Sequence, residues 1–114
     1  MDQINIGVIG TGWCGGIRAN TCAKSPFINE LHIAEINEER LAEVKAQTNP
    51  ISAVTDYQAI LKTDDVHAVI ISATPEIMHY PMAKESLVSG QHVFLEKPLA
   101  LTLAEADELV NLAR

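Results

Sequence analysis

The feature that most narrows the fold is a series of short, near-continuous apolar runs: Ile4–Gly10, Glu30–Ile36, Ile51–Val54, Val66–Ser72 and His92–Glu96. A strand with one wet face alternates apolar and polar residues. Runs without that alternation need cover on both faces, which is the situation of a parallel sheet. The segments between them carry helix signals. Trp13–Ser25 reads as a helix closed by Pro26. Asn37 is a good N-cap, and Glu38 and Glu39 suit the positive end of a helix running to about Gln47. Asp56 can cap a short helix over Tyr57–Lys62. Thr74-Pro75 opens a helical stretch that Pro81 divides or restarts and Gly90 ends. Thr102 and Glu105 make a Thr-x-x-Glu capping box before a last helix to Arg114. Strands alternating with helices imply right-handed crossovers. The expected class is α/β: a doubly wound, mainly parallel sheet with helices on both faces.

At 114 residues the chain is long enough for one domain, taken as residues 1–114, and a real core. The formal net charge of −7 argues against nucleic acid or an anionic membrane as the main partner, since both need clustered Lys and Arg. Cys14 and Cys22 lie eight residues apart in the first helical stretch, about 12 Å along its axis. That is too far for a disulfide, so free thiols and a reducing compartment are expected. No secretory leader and no membrane-spanning run is read, which makes the cytoplasm the default. No His, Cys or carboxylate set has metal-ligand spacing.

One turn carries more information than the others. Gly10-x-Gly12-x-x-Gly15 follows the first strand and opens the first helix. Gly10 permits the tight turn, Gly12 lets the backbone approach a pyrophosphate, and Gly15 allows close helix–strand packing. The N–H groups of Thr11–Gly15, with the helix dipole, would hold phosphates. Glu35 lies 20 residues beyond Gly15, at the end of the second strand. A carboxylate there accepts from a ribose diol and repels a 2′-phosphate. Ile36 follows it, and no Arg adjoins it; Arg40 is a phosphate partner only if the second helix is rotated. NAD is thus expected in preference to NADP, in a Rossmann-type domain.

Taken with ISATPEIMHYPMA (residues 71–83) and FLEKPLA (residues 94–100), this turn resembles the glucose–fructose oxidoreductase / inositol dehydrogenase family, Gfo/Idh/MocA. The resemblance covers essentially the whole chain. It implies an N-terminal NAD(P)-binding Rossmann domain of a dehydrogenase acting on sugars, sugar acids, nucleotide sugars or cyclitols. Gly10, Gly12 and Gly15 match the family's phosphate loop, within which Thr11, Trp13 and Cys14 would contact the cofactor by backbone. Glu35, with Ile36 beside it, matches the ribose-binding acid. Ala73, Thr74 and Pro75 match the loop beside the pyrophosphate and nicotinamide ribose. Glu96, Lys97 and Pro98 match a motif whose Lys is frequently catalytic.

Lys97 would stand just past a strand end, where an ammonium can stabilise a developing alkoxide and relay its proton. Burial would lower its pKa, and a neighbouring Glu96 carboxylate would raise it. His79 matches a family histidine and is read as fixing local packing. His32 and His67 are read as structural or solvent-facing. Two departures stand out. Glu76 replaces the family's frequent Asn, and the sequence ends after the helix following Glu96-Lys97-Pro98. The family's second, αβ domain, which supplies the substrate pocket and the remaining acid–base residues, is therefore expected to lie outside this chain. Cofactor binding with little or no turnover is the expectation for these 114 residues. The alternative is a stand-alone nucleotide-binding or interaction module. A homo-oligomer is compatible with either.

Overall fold

A computed structural model describes residues 3–114. Five strands alternate with five α-helices: β1 (Ile4–Ile9), α1 (Trp13–Lys24), β2 (Ile28–Ala34), α2 (Glu38–Thr48), β3 (Ser52–Val54), α3 (Tyr57–Leu61), β4 (Ala68–Ile71), α4 (His79–Val88), β5 (His92–Leu95) and α5 (Leu103–Ala113). The strands form one sheet in the order β3-β2-β1-β4-β5, and every pair is parallel. The fold is the expected Rossmann-like α/β arrangement.

The apolar runs are continuous because both faces of the sheet are covered. Ile6, Val8, Leu31 and Ile33 point to the side where Ala19 of α1 and Val44 of α2 pack. Ile9, Ala34, Val69 and Ile71 point to the other side, against Ile60 of α3, Met82 and Ala83 of α4 and Leu109 of α5. Gly7 belongs to this second layer. A Cβ there would lie 2.6 Å from Ile60 Cγ2, so α3 seats directly on β1.

The cap residues do what their chemistry suggests. Asn37 accepts from the Arg40 amide, Asp56 from Gln58, and Thr102 from Glu105. α2 ends on Asn49 in the left-handed region, and Gly90 takes φ 87° after α4. Pro81 falls in the first turn of α4, where no amide donor is required. A 3₁₀ turn, Glu76–Met78, precedes that helix.

The strand limits differ from the sequence reading by one or two residues, most at β2 and at the start of β4. β2 runs Ile28–Ala34 instead of Glu30–Ile36, because its register is set by β1, with Ile4 opposite Ile28 and Ile9 opposite Ala34. β4 starts at Ala68, not Val66. There Asp65 takes φ 67°, and His67 Nδ1 accepts the Asn5 amide at 2.9 Å, extending the β1–β4 pairing with a side chain. Cys14 and Cys22 are free thiols. Among the described residues no helix is long and apolar enough to cross a membrane.

Candidate functional site

The strands end level. Val54, Ala34, Ile9, Ile71 and Leu95 occupy one register row. Bonds from the next residues close it: Glu35 N to Val54 O at 3.0 Å, Gly10 N to Ala34 O at 2.9 Å, Ser72 N to Ile9 O at 2.8 Å and Glu96 N to Ile71 O at 3.0 Å. Glu35, Gly10, Ser72 and Glu96 therefore share the row just beyond the strands. The strand order reverses between β1 and β4, and open α/β sheets take ligands at the carboxyl edge of that switch point.

A cavity of about 610 Å³ opens there. The first turn contributes Gly10 and Gly12, and the end of β2 contributes Glu35 and Ile36. Arg40 enters from α2, Tyr57 from α3, and Met78 and Met82 from the other side. Ala73, Thr74 and Pro75 close the wall after β4, with the Thr74–Pro75 bond cis. The volume lies in the usual range for cofactor sites, roughly 300–1,000 Å³.

The glycines differ in what demands them. Gly10 has φ +86°, and a Cβ on it would lie 2.5 Å from the Ala73 backbone. A Cβ on Gly15 would overlap the Gly10 carbonyl oxygen, so α1 abuts the end of β1. Gly12 has φ −60°, outside the left-handed region, and a Cβ there meets nothing within 4 Å. No neighbouring protein atom requires glycine there. Gly12 is also the N-cap of α1, with no side-chain cap and no acidic residue in the first turn. The amides of that turn keep their positive end for an anion.

Glu35 is central to the loop. Its Oε1 accepts from both the amide and the hydroxyl of Thr11, each at 2.8 Å, and its Oε2 accepts from the Asn37 amide at 3.0 Å. Partial burial pushes its carboxyl up. The donors from Asn37 and Thr11 and the charge of Arg40 outweigh that and hold it below the ordinary value. A carboxylate has about four lone-pair sites, so capacity remains for a ligand. Thr11 is fully buried, and its amide is committed to Glu35. Of the Thr11–Gly15 amides expected to face a phosphate, that of Thr11 is turned to Glu35 instead; those of Gly12, Trp13, Cys14 and Gly15 make no such bond to a side chain among the described residues. A carboxyl depressed on folding stabilises above its unfolded pKa and loses that contribution as pH falls through the folded value. Melting temperature is expected to decline as pH drops below about 4.3, and Glu35→Gln to make the decline shallower. An unaltered pH profile in that variant would show the Thr11–Glu35 link to be energetically idle.

Arg40, left open in the sequence as a phosphate partner, lies close enough to Glu35 for its charge to act on that carboxylate. Its Nε donates to Thr11 O at 2.6 Å, Nη2 to Gly12 O at 3.4 Å and Nη1 to Glu43 Oε2 at 3.2 Å. It braces the turn through loop carbonyls. Burial, and the Glu85 carboxylate that accepts the Tyr57 hydroxyl at 2.6 Å, push the Tyr57 phenol up to about 12. It is therefore a wall of the cavity and no acid–base group near neutrality.

The remaining expected residues stand outside the cavity lining. Trp13 is 84% exposed and Cys14 is exposed. Glu96 pairs with Arg18 of α1, which also lies 5.2 Å from the Phe94 ring centroid. The neighbouring Glu96 carboxylate thus faces Arg18. Lys97 is exposed and has no ion pair among the described residues; the Lys97–Pro98 bond is cis. The Pro98 carbonyl faces Nδ1 of buried His79 at 2.8 Å.

Comparison with known proteins places this geometry. The family model described as the oxidoreductase family, NAD-binding Rossmann fold (Gfo/Idh/MocA), matches residues 4–114. The oxidoreductase YdgJ of Escherichia coli is 32% identical over 99% of the chain and 32% of its own length. A glycosyl hydrolase family 109 protein of Shewanella sp. is 35% identical over 99% of the chain and 26% of its length. Scyllo-inositol dehydrogenase of Lactobacillus casei, solved with NAD(H) and scyllo-inositol, superposes with TM-score 0.87 at 25% identity, over 97% of the chain and 33% of that protein. The chain spans about a third or less of the length of the curated relatives it matches.

Proposed function

The chain belongs to the Gfo/Idh/MocA oxidoreductase family, as its NAD-binding Rossmann domain, and from that premise we propose that it serves hydride transfer between NAD(H) and a hydroxyl-bearing carbon of a sugar, sugar acid, nucleotide sugar or cyclitol. The observation that carries the reading is a single cavity lined by Gly12, at the uncapped start of α1, and by the Glu35 carboxylate. Those residues fit a dinucleotide. The amides of Trp13, Cys14 and Gly15 would meet the pyrophosphate, and Glu35 the adenosine ribose diol. Ile36 would border the ribose or base, and Ala73, Thr74 and Pro75 the nicotinamide side. When bound, the nicotinamide ring supplies the carbon that accepts or returns hydride.

Lys97 would orient the substrate hydroxyl and take or relay its proton as the alkoxide develops. Glu96, held by Arg18, would fix the strand end that presents it, and Pro98 the backbone that follows. In a longer polypeptide, a second domain would complete the substrate pocket. Exposed Phe94, Leu99, Leu101 and Leu103 around β5 and the start of α5 support such cover. The 114 residues alone would bind cofactor with little or no turnover.

NAD is preferred over NADP because Glu35 would repel a 2′-phosphate and Arg40 is engaged with the turn and Glu43. Titration with NADH and NADPH, followed by calorimetric heat and by fluorescence of Trp13, the sole tryptophan, is expected to show quenching and tighter binding of NADH. Absence of binding by either would sink the cofactor reading. Tighter NADPH binding would overturn the role given to Glu35.

Identity to proteins named as glycosyl hydrolases supports a second reading, in which the substrate is a glycoside. Hydrolysis of a glycoside adds water across the bond and is redox-neutral, so it would leave no net NADH. NADH accumulation with a free polyol favours the dehydrogenase; glycoside cleavage without it favours the second reading.

A further inference from the structure

Two loops follow the strands on the β4–β5 side: Ser72–Pro75 and Glu96–Ala100. Only the first borders the cavity. Two side chains join them. Arg18 of α1 donates to Ser72 Oγ at 3.4 Å and pairs with Glu96; the other link is buried. His79, the first residue of α4, is 2% exposed. Its Nε2 lies 3.0 Å from Ala73 O and its Nδ1 lies 2.8 Å from Pro98 O.

Both partners are backbone carbonyls, which can only accept. A neutral imidazole carries one N–H and satisfies one of them; a ring with two N–H groups satisfies both. No carboxylate among the described residues hydrogen-bonds the ring. The titratable groups on the surrounding elements are Glu76 in the preceding turn, Tyr80, Lys84 and Glu85 on α4, His92 on β5, Glu96 and Lys97 after β5, and Glu105, Asp107 and Glu108 on α5. Glu96 is paired with Arg18, and Glu108 with Tyr80 and Lys84. β4 brings none.

We infer that His79 is a positioning residue, a two-donor strap that holds the Lys97 loop to the loop lining the dinucleotide cavity. Each anchored carbonyl stands one residue from a group that matters. Ala73 precedes Thr74-Pro75 on the cavity wall, and Pro98 follows Lys97. A side chain that bonds both transmits a displacement of one loop to the other, although Lys97 has no part in the cavity lining. The inference rests on the reading of Lys97 as the residue that meets the substrate oxygen, but the strap can be tested without turnover.

The test is a ¹⁵N–¹H titration of the 114-residue chain with NADH. In the unsubstituted protein the amides of Trp13–Gly15 report binding, and those of Glu96, Lys97, Leu99 and Ala100 are expected to move with them. Arg18→Met removes the other link and is the background for the comparison: there the second set still moves, and with His79→Phe added, which keeps a ring and removes both donors, the first set still moves and the second set does not. Persistence of the second set in the double variant, or its absence in the unsubstituted chain or in Arg18→Met alone, overturns the strap. A long-range ¹H–¹⁵N spectrum of the His79 ring decides independently, including when His79→Phe does not fold. Two slowly exchanging ring N–H protons support the two-donor strap, and a bare ring nitrogen overturns it. If Trp13–Gly15 do not respond to NADH, the cofactor reading has failed, and the ring spectrum still judges the strap. Failure of Lys97 as a catalytic residue appears only in turnover.

Discussion

Gly10→Ala is expected to cost the domain about 3 kcal/mol or more, while Gly12→Ala leaves folding nearly untouched and weakens NADH binding at least about tenfold. The two residues belong to one motif, yet different neighbours demand them. Gly10 sits at φ +86°, where an L side chain costs about 1–2 kcal/mol by itself. Its added Cβ would also lie 2.5 Å from Ala73 backbone, which cannot swing aside as a side chain can. The resulting loss corresponds to a fall of roughly 10 °C in melting temperature for a domain of this size. At Gly12 φ is −60°, outside the left-handed region, and the added methyl meets no protein atom within 4 Å. Its effect is confined to whatever approaches from the cavity. Melting curves of both variants, with NADH calorimetry of Gly12→Ala, check the pair. Equal destabilisation would mean that the loop is a turn only; tight NADH binding by Gly12→Ala would remove the pyrophosphate from this place.

Lys97→Met, in the longer enzyme that this domain would serve, is expected to lower kcat by about 10²–10⁴ and to leave NADH affinity within about twofold. The magnitude is that of a positioned proton-transfer group. The split follows from placement: Lys97 is exposed and absent from the cavity lining, so the cofactor loses little when it is truncated. Its neighbours are already committed, Glu96 to Arg18 and the Pro98 carbonyl to His79. The substitution therefore removes an ammonium without freeing a buried partner. Near-normal turnover on the true substrate would end the catalytic assignment. A matched loss of NADH affinity would move Lys97 into the cofactor site.

Much of the architecture was legible in the residues because local chemistry and global fold agree. Continuous apolar runs require two covered faces, and the helices that cover them announce themselves through Asn37, Asp56, Thr102 and Gly90. The ends of β2 and β4 were not legible. Strand limits depend on pairing, and the register with β1 set β2 two residues earlier in the chain and shortened β4. Glu35 could be found as an acid at the expected distance from the glycines. Its grip on buried Thr11 could not, since a short polar residue in a turn looks the same whether it faces a ligand or a carboxylate.

What the sequence by itself determined is the order and type of the elements, the position of the glycine turn between β1 and α1, and the chemistry available at the carboxyl edge. Those properties follow from periodicity, capping and the absence of a Cβ, all of which act over a few residues. The tertiary structure alone decided which of those groups meet. It brought Arg40 to the turn, gave Glu96 to Arg18 across 78 positions, set Lys97 outside the cavity, and tied the two loops through His79. The reason is physical. Side chains distant in the chain come within bonding distance only where strand order and register put their elements side by side, and neither is written in any short stretch of residues.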